Sequence, residues 1–187
     1  MSPHRDEPNR WRGFAIGLVA GAAGTGAMGG YWSAATALAG DDPRARVRED
    51  GPHALEDISL VGRHHGDDES TTAAMGRIAY ERLAGTPPES DEAKSVLSYV
   101  VHYGYGSLQG GVYGAMATDS VVLGGSAFGT ALWLGGDEAA GSLLGLADGP
   151  GKFPMSQHLH RWGAHLVYGI AVALVTKVLG RLLPDGS

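Results

Sequence analysis

Residues 13–40 read GFAIGLVAGAAGTGAMGGYWSAATALAG and contain no charged side chain. A helix rises about 1.5 Å per residue and the hydrocarbon core is about 30 Å thick, so roughly 20 apolar residues cross a bilayer. This run is long enough. Small residues recur in it every fourth position, at Gly13, Gly17, Gly21, Thr25, Gly29 and Ser33. In water each such glycine weakens a helix by about 1 kcal/mol relative to alanine. In hydrocarbon the backbone amides have no other partner, so helix is enforced. Four-residue spacing gathers the small residues on one stripe, where a second backbone can approach closely. The stretch therefore predicts a transmembrane helix with Gly17 and Gly21 as packing positions. A secretory signal is the rival reading, because basic residues precede the run and Ala37-Leu38-Ala39 closes it. The run is nearly twice an ordinary signal core of about 7–15 residues, which favours the anchor.

The same segregation of charge continues along the chain. Residues 95–118 and 120–136 are also uncharged, whereas residues 41–94 hold thirteen acidic and seven basic side chains. The mean hydropathy of −0.07 averages over these two kinds of segment. The pattern predicts an all-α fold: one membrane domain, a polytopic bundle of about four transmembrane helices. A polar arm covers 1–12 and the first helix 13–40. A polar loop covers 41–94, and the remaining helices cover 95–118, 120–136 and 158–183. Ser90 caps the second helix, with Asp91 and Glu92 in its first turn, where the helix dipole favours acids. Residues 137–154 read as a polar connection rich in turn formers. Ser156 is the expected cap of the last helix, whose Lys177 and Arg181 would snorkel to the interface. Inside the long loop, residues 70–84 predict a helix capped by Ser70 or Thr71. Met75, Ile78, Ala79 and Leu83 give it a narrow apolar face. It lies on a membrane surface or stands as a short helix within the loop.

The later helices carry their own stripes, Gly106, Gly110, Gly114 and Thr118 on the second and Gly125 and Gly129 on the third. These are expected packing positions, within the chain or between copies in a homo-oligomer. Four spans place both termini on one side, cytoplasmic by the excess of basic residues there. Arg44, Arg46 and Arg48 on the other side weigh against that orientation. Trp32, Trp133 and Trp162 fall at the long-loop ends of the helices and Trp11 at the opposite end, as an interfacial belt would.

Several functions are excluded or lack a signature. The chain has no cysteine, so it has no thiolate chemistry. A net charge of −6 without a basic tract argues against a nucleic-acid partner. There is no phosphate-binding loop, nucleophile elbow or zinc-protease motif. Gly24-Thr25-Gly26 follows no strand and is no nucleotide loop. The expectation is a non-enzymatic protein with no catalytic residue, metal ligand or cofactor, whose partner is the lipid bilayer. His64-His65 ahead of Gly66-Asp67-Asp68-Glu69 reads as a divalent-cation attractor or as a solvated loop.

Polar residues inside the spans form two stripes. His102, Tyr105, Gln109 and Tyr113 share one face of the second helix. His158, Arg161, His165 and Tyr168 share one face of the fourth. His102 and His165 each stand seven residues into a helix entered from the long-loop side, hence about 10 Å deep. Asp137 and Glu138 close the third helix at that side. The candidate intramembrane cluster is thus His102, Gln109, Asp137, Glu138, Arg161, His165 and Tyr168. It reads as a polar crevice for protons or a small ligand, as hydrogen bonding that fixes helix packing, or as a pair of axial histidines for haem.

Three segments carry a family resemblance: Leu108-Gln109-Gly110-Gly111-Val112-Tyr113-Gly114-Ala115, Leu144-Gly145-Leu146 and Ala164-His165-Leu166-Val167-Tyr168. In that order they resemble the YagU-like inner-membrane family, whose biochemical activity is unassigned. The likeness covers the first helix and residues 95–177 and leaves the long loop unmatched. It implies the bacterial inner membrane and singles out Gln109 and His165, but carries over no catalytic residue. The expected function is a small integral membrane protein with a role in envelope or ion and proton homeostasis. A haem-binding or redox bundle and a glycine-stripe oligomeric pore or scaffold are the alternatives.

Overall fold

The first helix, α1 (Arg10–Ala39), starts where Asn9 accepts the Arg12 N–H at 3.1 Å. It ends at Gly40, whose φ of 82° terminates the helix in the left-handed region that glycine occupies without strain. The computed structural model describes residues 9–45, 54–67, 69–116 and 120–183. Most of the N-terminal arm, Arg46, Arg48, Asp68, Thr118 and Asp119 lie outside the described residues. Four further helices follow: α2 (Thr71–Ala84), α3 (Asp91–Met116), α4 (Val121–Leu132) and α5 (Met155–Leu182). Among the described residues there is no strand, so the fold is all-α.

The glycine stripes decide the packing. A Cβ on Gly17 would meet the Gly110 carbonyl carbon at 2.8 Å, and one on Gly21 would meet the Ser107 Cα at 2.7 Å. Gly13 meets Gly114 in the same way. The position numbers fall on one helix as they rise on the other, so α1 and α3 run antiparallel with backbones in direct contact. A second antiparallel pair joins α4 to α5, where a Cβ on Gly125 would lie 2.7 Å from the Gly169 oxygen. Gly129 packs likewise on His165 and Leu166. The two pairs join where Gly24 of α1 receives the Val172 and Tyr168 side chains of α5. Buried Tyr113, Tyr168, Met28 and Val172 fill this seam, with Phe128 packed between the two tyrosines. At one end of the bundle, Arg12 donates to the Gly180 oxygen at 3.0 Å and to the Leu183 oxygen. A cation is favourable on such unpaired carbonyls at a helix C-terminus. At the other end Tyr31 of α1 bonds His160 of α5 at 3.1 Å.

Several boundaries differ from the sequence expectation. Ser70 caps α2, accepting from Ala73 N, but α2 is packed on the start of α3: Gly76 sits on Leu97, and Thr72 bonds Ser98 at 2.9 Å. The third helix does not stop at 136. It widens into a π-helical stretch, Trp133–Ala140, and closes with a last turn, Gly141–Leu143. Ala139, Ala140, Leu143 and Leu144 are good helix formers and carry it past Gly135-Gly136. Asp137 and Glu138 therefore stand on a helix rather than in a turn. The last helix begins three residues before 158, with Pro154 at the cap position in place of Ser156. Proline supplies the extended backbone there without a side-chain bond. Among the described residues, only α1 and α5 are long and apolar enough to cross a membrane by length and composition. Glycine, tyrosine and polar side chains lower the hydropathy of α3, and the α-helical part of α4 has 12 residues.

Candidate functional site

The loop before α2 folds back over the far end of the bundle. Leu60 N donates to the Leu143 oxygen at 2.9 Å, and His64 N donates to the Gly145 oxygen at 2.8 Å. In the opposite direction, Gly149 N donates to Glu56 O at 2.8 Å and Gly151 N to Leu55 O at 3.3 Å. Lys152 pairs with Glu56 across the same seam. Gly145 has a φ of +65°, and a side chain there would strike Gly62 O. The two segments thus form a polar cap. Arg77 anchors its far side, bonding Glu69 through Nε at 2.9 Å and the His64 carbonyl through Nη2 at 2.6 Å. The hydrogen bonds from Arg77 hold the Glu69 carboxyl below its usual range, and Glu69 in turn raises Arg77.

Beneath the cap lie His–carboxylate pairs. His158 on α5 meets Glu138 on the π-helical stretch, Nδ1 to Oε1 at 2.9 Å, and its Nε2 is 3.1 Å from Pro150 O. The two side chains are 15% and 13% exposed, so Glu138 is not a solvated rim residue. About two helical turns deeper, His165 directs Nδ1 at the Arg161 carbonyl, 2.8 Å away. A carbonyl only accepts, so Nδ1 carries a proton. The other nitrogen, Nε2, faces Asp137 Oδ1 at 3.8 Å. His102 on α3 is half-buried within electrostatic range of both Asp137 and His165. Arg161 stacks its guanidinium 4.0 Å above the Phe153 ring. A third pair sits in the cap itself, where His65, 3% exposed, faces Asp148 at 3.6 Å.

Five of the seven polar residues expected as a cluster are thus gathered at one end of the bundle: His102, Asp137, Glu138, Arg161 and His165. Tyr168 is not among them. It points to the opposite seam and donates its hydroxyl to Gly106 O at 2.6 Å, buried. Gln109, among the described residues, is bonded to none of the cluster. His165 Nδ1 is bonded to a backbone oxygen, and Nε2 faces Asp137 across 3.8 Å without a hydrogen bond. No group of three or more candidate metal ligands is present among the described residues, the His64–Glu69 segment included as far as it is described. The sequence reading missed His158 as the partner of Glu138, because the pair forms only if the helix continues beyond 136. It also missed the His65–Asp148 pair, which is brought together by the cap and leaves no mark in local spacing. The chain matches no protein-family profile, no curated protein and no solved structure.

Proposed function

We propose that the chain is an integral inner-membrane protein of four spans, with a non-enzymatic role in ion or proton homeostasis of the envelope. The observation that carries this reading is the distribution of side-chain size. The α1–α3 and α4–α5 seams are lined by glycine, while many large apolar side chains point outward. Val19, Leu108, Val112, Val122, Leu123, Leu174 and Val178 are all exposed. In water this surface would be a standing cost of about 25 cal/mol per Å². In hydrocarbon it costs nothing, and close backbone packing supplies the cohesion that the hydrophobic effect cannot. The YagU-like motifs agree, since Leu108–Ala115 places its glycines inward and Leu108 and Val112 outward. The ionisable cluster under the cap supports the proton or ion role, because ionisable side chains within membrane-spanning helices are rare and commonly mark proton or ion pathways. The test is extraction: the full chain should remain with membranes through carbonate and high-salt washes and leave only with detergent. Full-length, folded protein in the soluble fraction would overturn the reading.

A further inference from the structure

His165 and Asp137 meet as two acceptors. The Nδ1–H of His165 donates to the Arg161 oxygen at 2.8 Å, so in the neutral ring Nε2 carries a lone pair. Nε2 stands 3.8 Å from Asp137 Oδ1, a separation that no hydrogen bond spans but that one donor placed between them can bridge. Among the described residues no lysine or arginine pairs with Asp137, and neither His102 nor Tyr105 is hydrogen-bonded to it. The neighbouring carboxylates are served by protein donors, Glu138 by His158 at 2.9 Å and Glu69 by Arg77 at 2.9 Å.

The backbone is shaped around this pair. Asp137 stands in the middle of the π-helical stretch Trp133–Ala140. Such wide turns are rare and recur at functional sites. The Asp137 side chain is 40% exposed and that of His165 14%, so the pair is reached from the Asp137 side. Tyr105 of α3 stands beside the same stretch, its hydroxyl 3.6 Å from the Cβ position of Gly136. His102, three residues earlier on α3, lies within electrostatic range of both members.

We propose that Asp137 and His165, flanked by His102 and Tyr105, bind a small cation that carries N–H donors: ammonium or a primary alkylammonium. This inference rests on the ion role proposed above and names the class of ion. The carboxylate turns away anions. Hard metal cations take a shell of six or more oxygens, or a ring of carbonyls, whereas the facing atoms here are one carboxylate oxygen and one imidazole nitrogen. Imidazole suits a transition metal, but no group of three or more candidate metal ligands is assembled among the described residues. An ammonium nitrogen can stand about 2.9 Å from both acceptors at once. It donates one N–H to Asp137 Oδ1 and another to His165 Nε2, and its charge offsets that of the carboxylate. An alkyl substituent on it has room only on the exposed side, past Asp137.

Thermal melts of the full chain in detergent micelles test the site. At about pH 8 an ordinary imidazole is neutral and a primary ammonium is charged. The probes are ammonium, methylammonium, tetramethylammonium and potassium chlorides at one ionic strength. Ammonium and methylammonium should raise the midpoint saturably, by about 3 °C at ten times the dissociation constant. Tetramethylammonium has the same charge and no N–H, so it should do nothing, and potassium likewise. Asp137→Asn keeps the side-chain shape and removes the charge, and should abolish the rise. Glu92→Gln, an exposed carboxylate in the first turn of α3, should leave it intact. Equal shifts with all four cations, no shift with any, or an unchanged rise in Asp137→Asn overturns the proposal. If Asp137→Asn does not fold, methylammonium against tetramethylammonium on the native chain decides it. Membrane extraction is a separate readout: a chain that stays with membranes but ignores ammonium loses this site and keeps its spans.

Discussion

Gly17 and Gly110 stand backbone to backbone across the α1–α3 seam, with no room for a methyl group on either. A Cβ on Gly110 would lie 2.5 Å from the Gly21 Cα and 2.6 Å from its nitrogen. The obstacle is main chain, which cannot rotate aside.

Gly17→Ala and Gly110→Ala should therefore each destabilise the bundle by about 1–3 kcal/mol, and Gly110→Leu by more. Gly29 is the control, since nothing lies within 4 Å of a Cβ placed there. Gly29→Ala should be neutral or stabilise by up to about 1 kcal/mol through helix propensity. Thermal melts of the three alanine variants in one detergent make the comparison. Equal behaviour at positions 29 and 110 would remove the close seam.

Tyr168 provides the second test. Its buried hydroxyl bridges α5 to the Gly106 carbonyl of α3 at 2.6 Å. Tyr168→Phe keeps the ring packing against Gly24 and Phe128 and deletes only that bond, so a loss of about 1 kcal/mol is expected. A loss as large as that of Tyr168→Ala, about 3–5 kcal/mol for an aromatic truncation, would mean the ring itself had moved.

Local pattern carried the helices and their seams, and failed where contacts were long-range. Glycine spacing of four is a local signal and marked Gly17, Gly21, Gly106, Gly110 and Gly114 as packing positions, whereas the pairing of one stripe with the other is a long-range contact that only the fold shows. Ser70 as a cap was legible for the same reason. The end of α4 was not. Gly135-Gly136 followed by Asp137-Glu138 looks like a turn, yet the chain stays helical by adopting a wider turn that no simple period describes. Tyr168 shares a face with His165 by spacing, but three residues on a helix subtend enough angle to send the two side chains into different seams. His65 and Asp148 are 83 positions apart in sequence, and only the folded cap brings them together.

Glu69 gives the chain a dependence on acid pH. Its carboxyl is held below its usual range, first by the hydrogen bonds from Arg77 and further by the Gly66 N–H. A depressed acid contributes stability that is fully present above the unfolded carboxylate value of about 4.3 and is lost as pH falls through the lowered one. Thermal stability of the native chain should thus fall below about pH 4 in part through this group. Glu69→Gln should lower stability near neutrality by about 1 kcal/mol, since the pair is partly exposed, and should flatten the acid limb. An acid limb identical to that of the native chain would assign the loss to other carboxyls.

Orientation is open to a direct chemical test because the chain has no cysteine of its own. The contact of Arg12 with Gly180 and Leu183 puts the start of α1 and the end of α5 at one end of the bundle. The seam between Leu60 and Leu143 belongs to the other end. Leu60 is 80% exposed and Leu183 51%, so cysteines at either place should react freely and disturb little. If both termini are cytoplasmic, Leu60→Cys should be labelled by a membrane-impermeant maleimide in intact spheroplasts. Leu183→Cys should be labelled only after permeabilisation. The reverse pattern would invert the proposed orientation and leave the four spans intact, with Arg44 then on the cytoplasmic side. Labelling of both from outside would contradict the spans themselves, since antiparallel helices that cross a bilayer must separate these two ends.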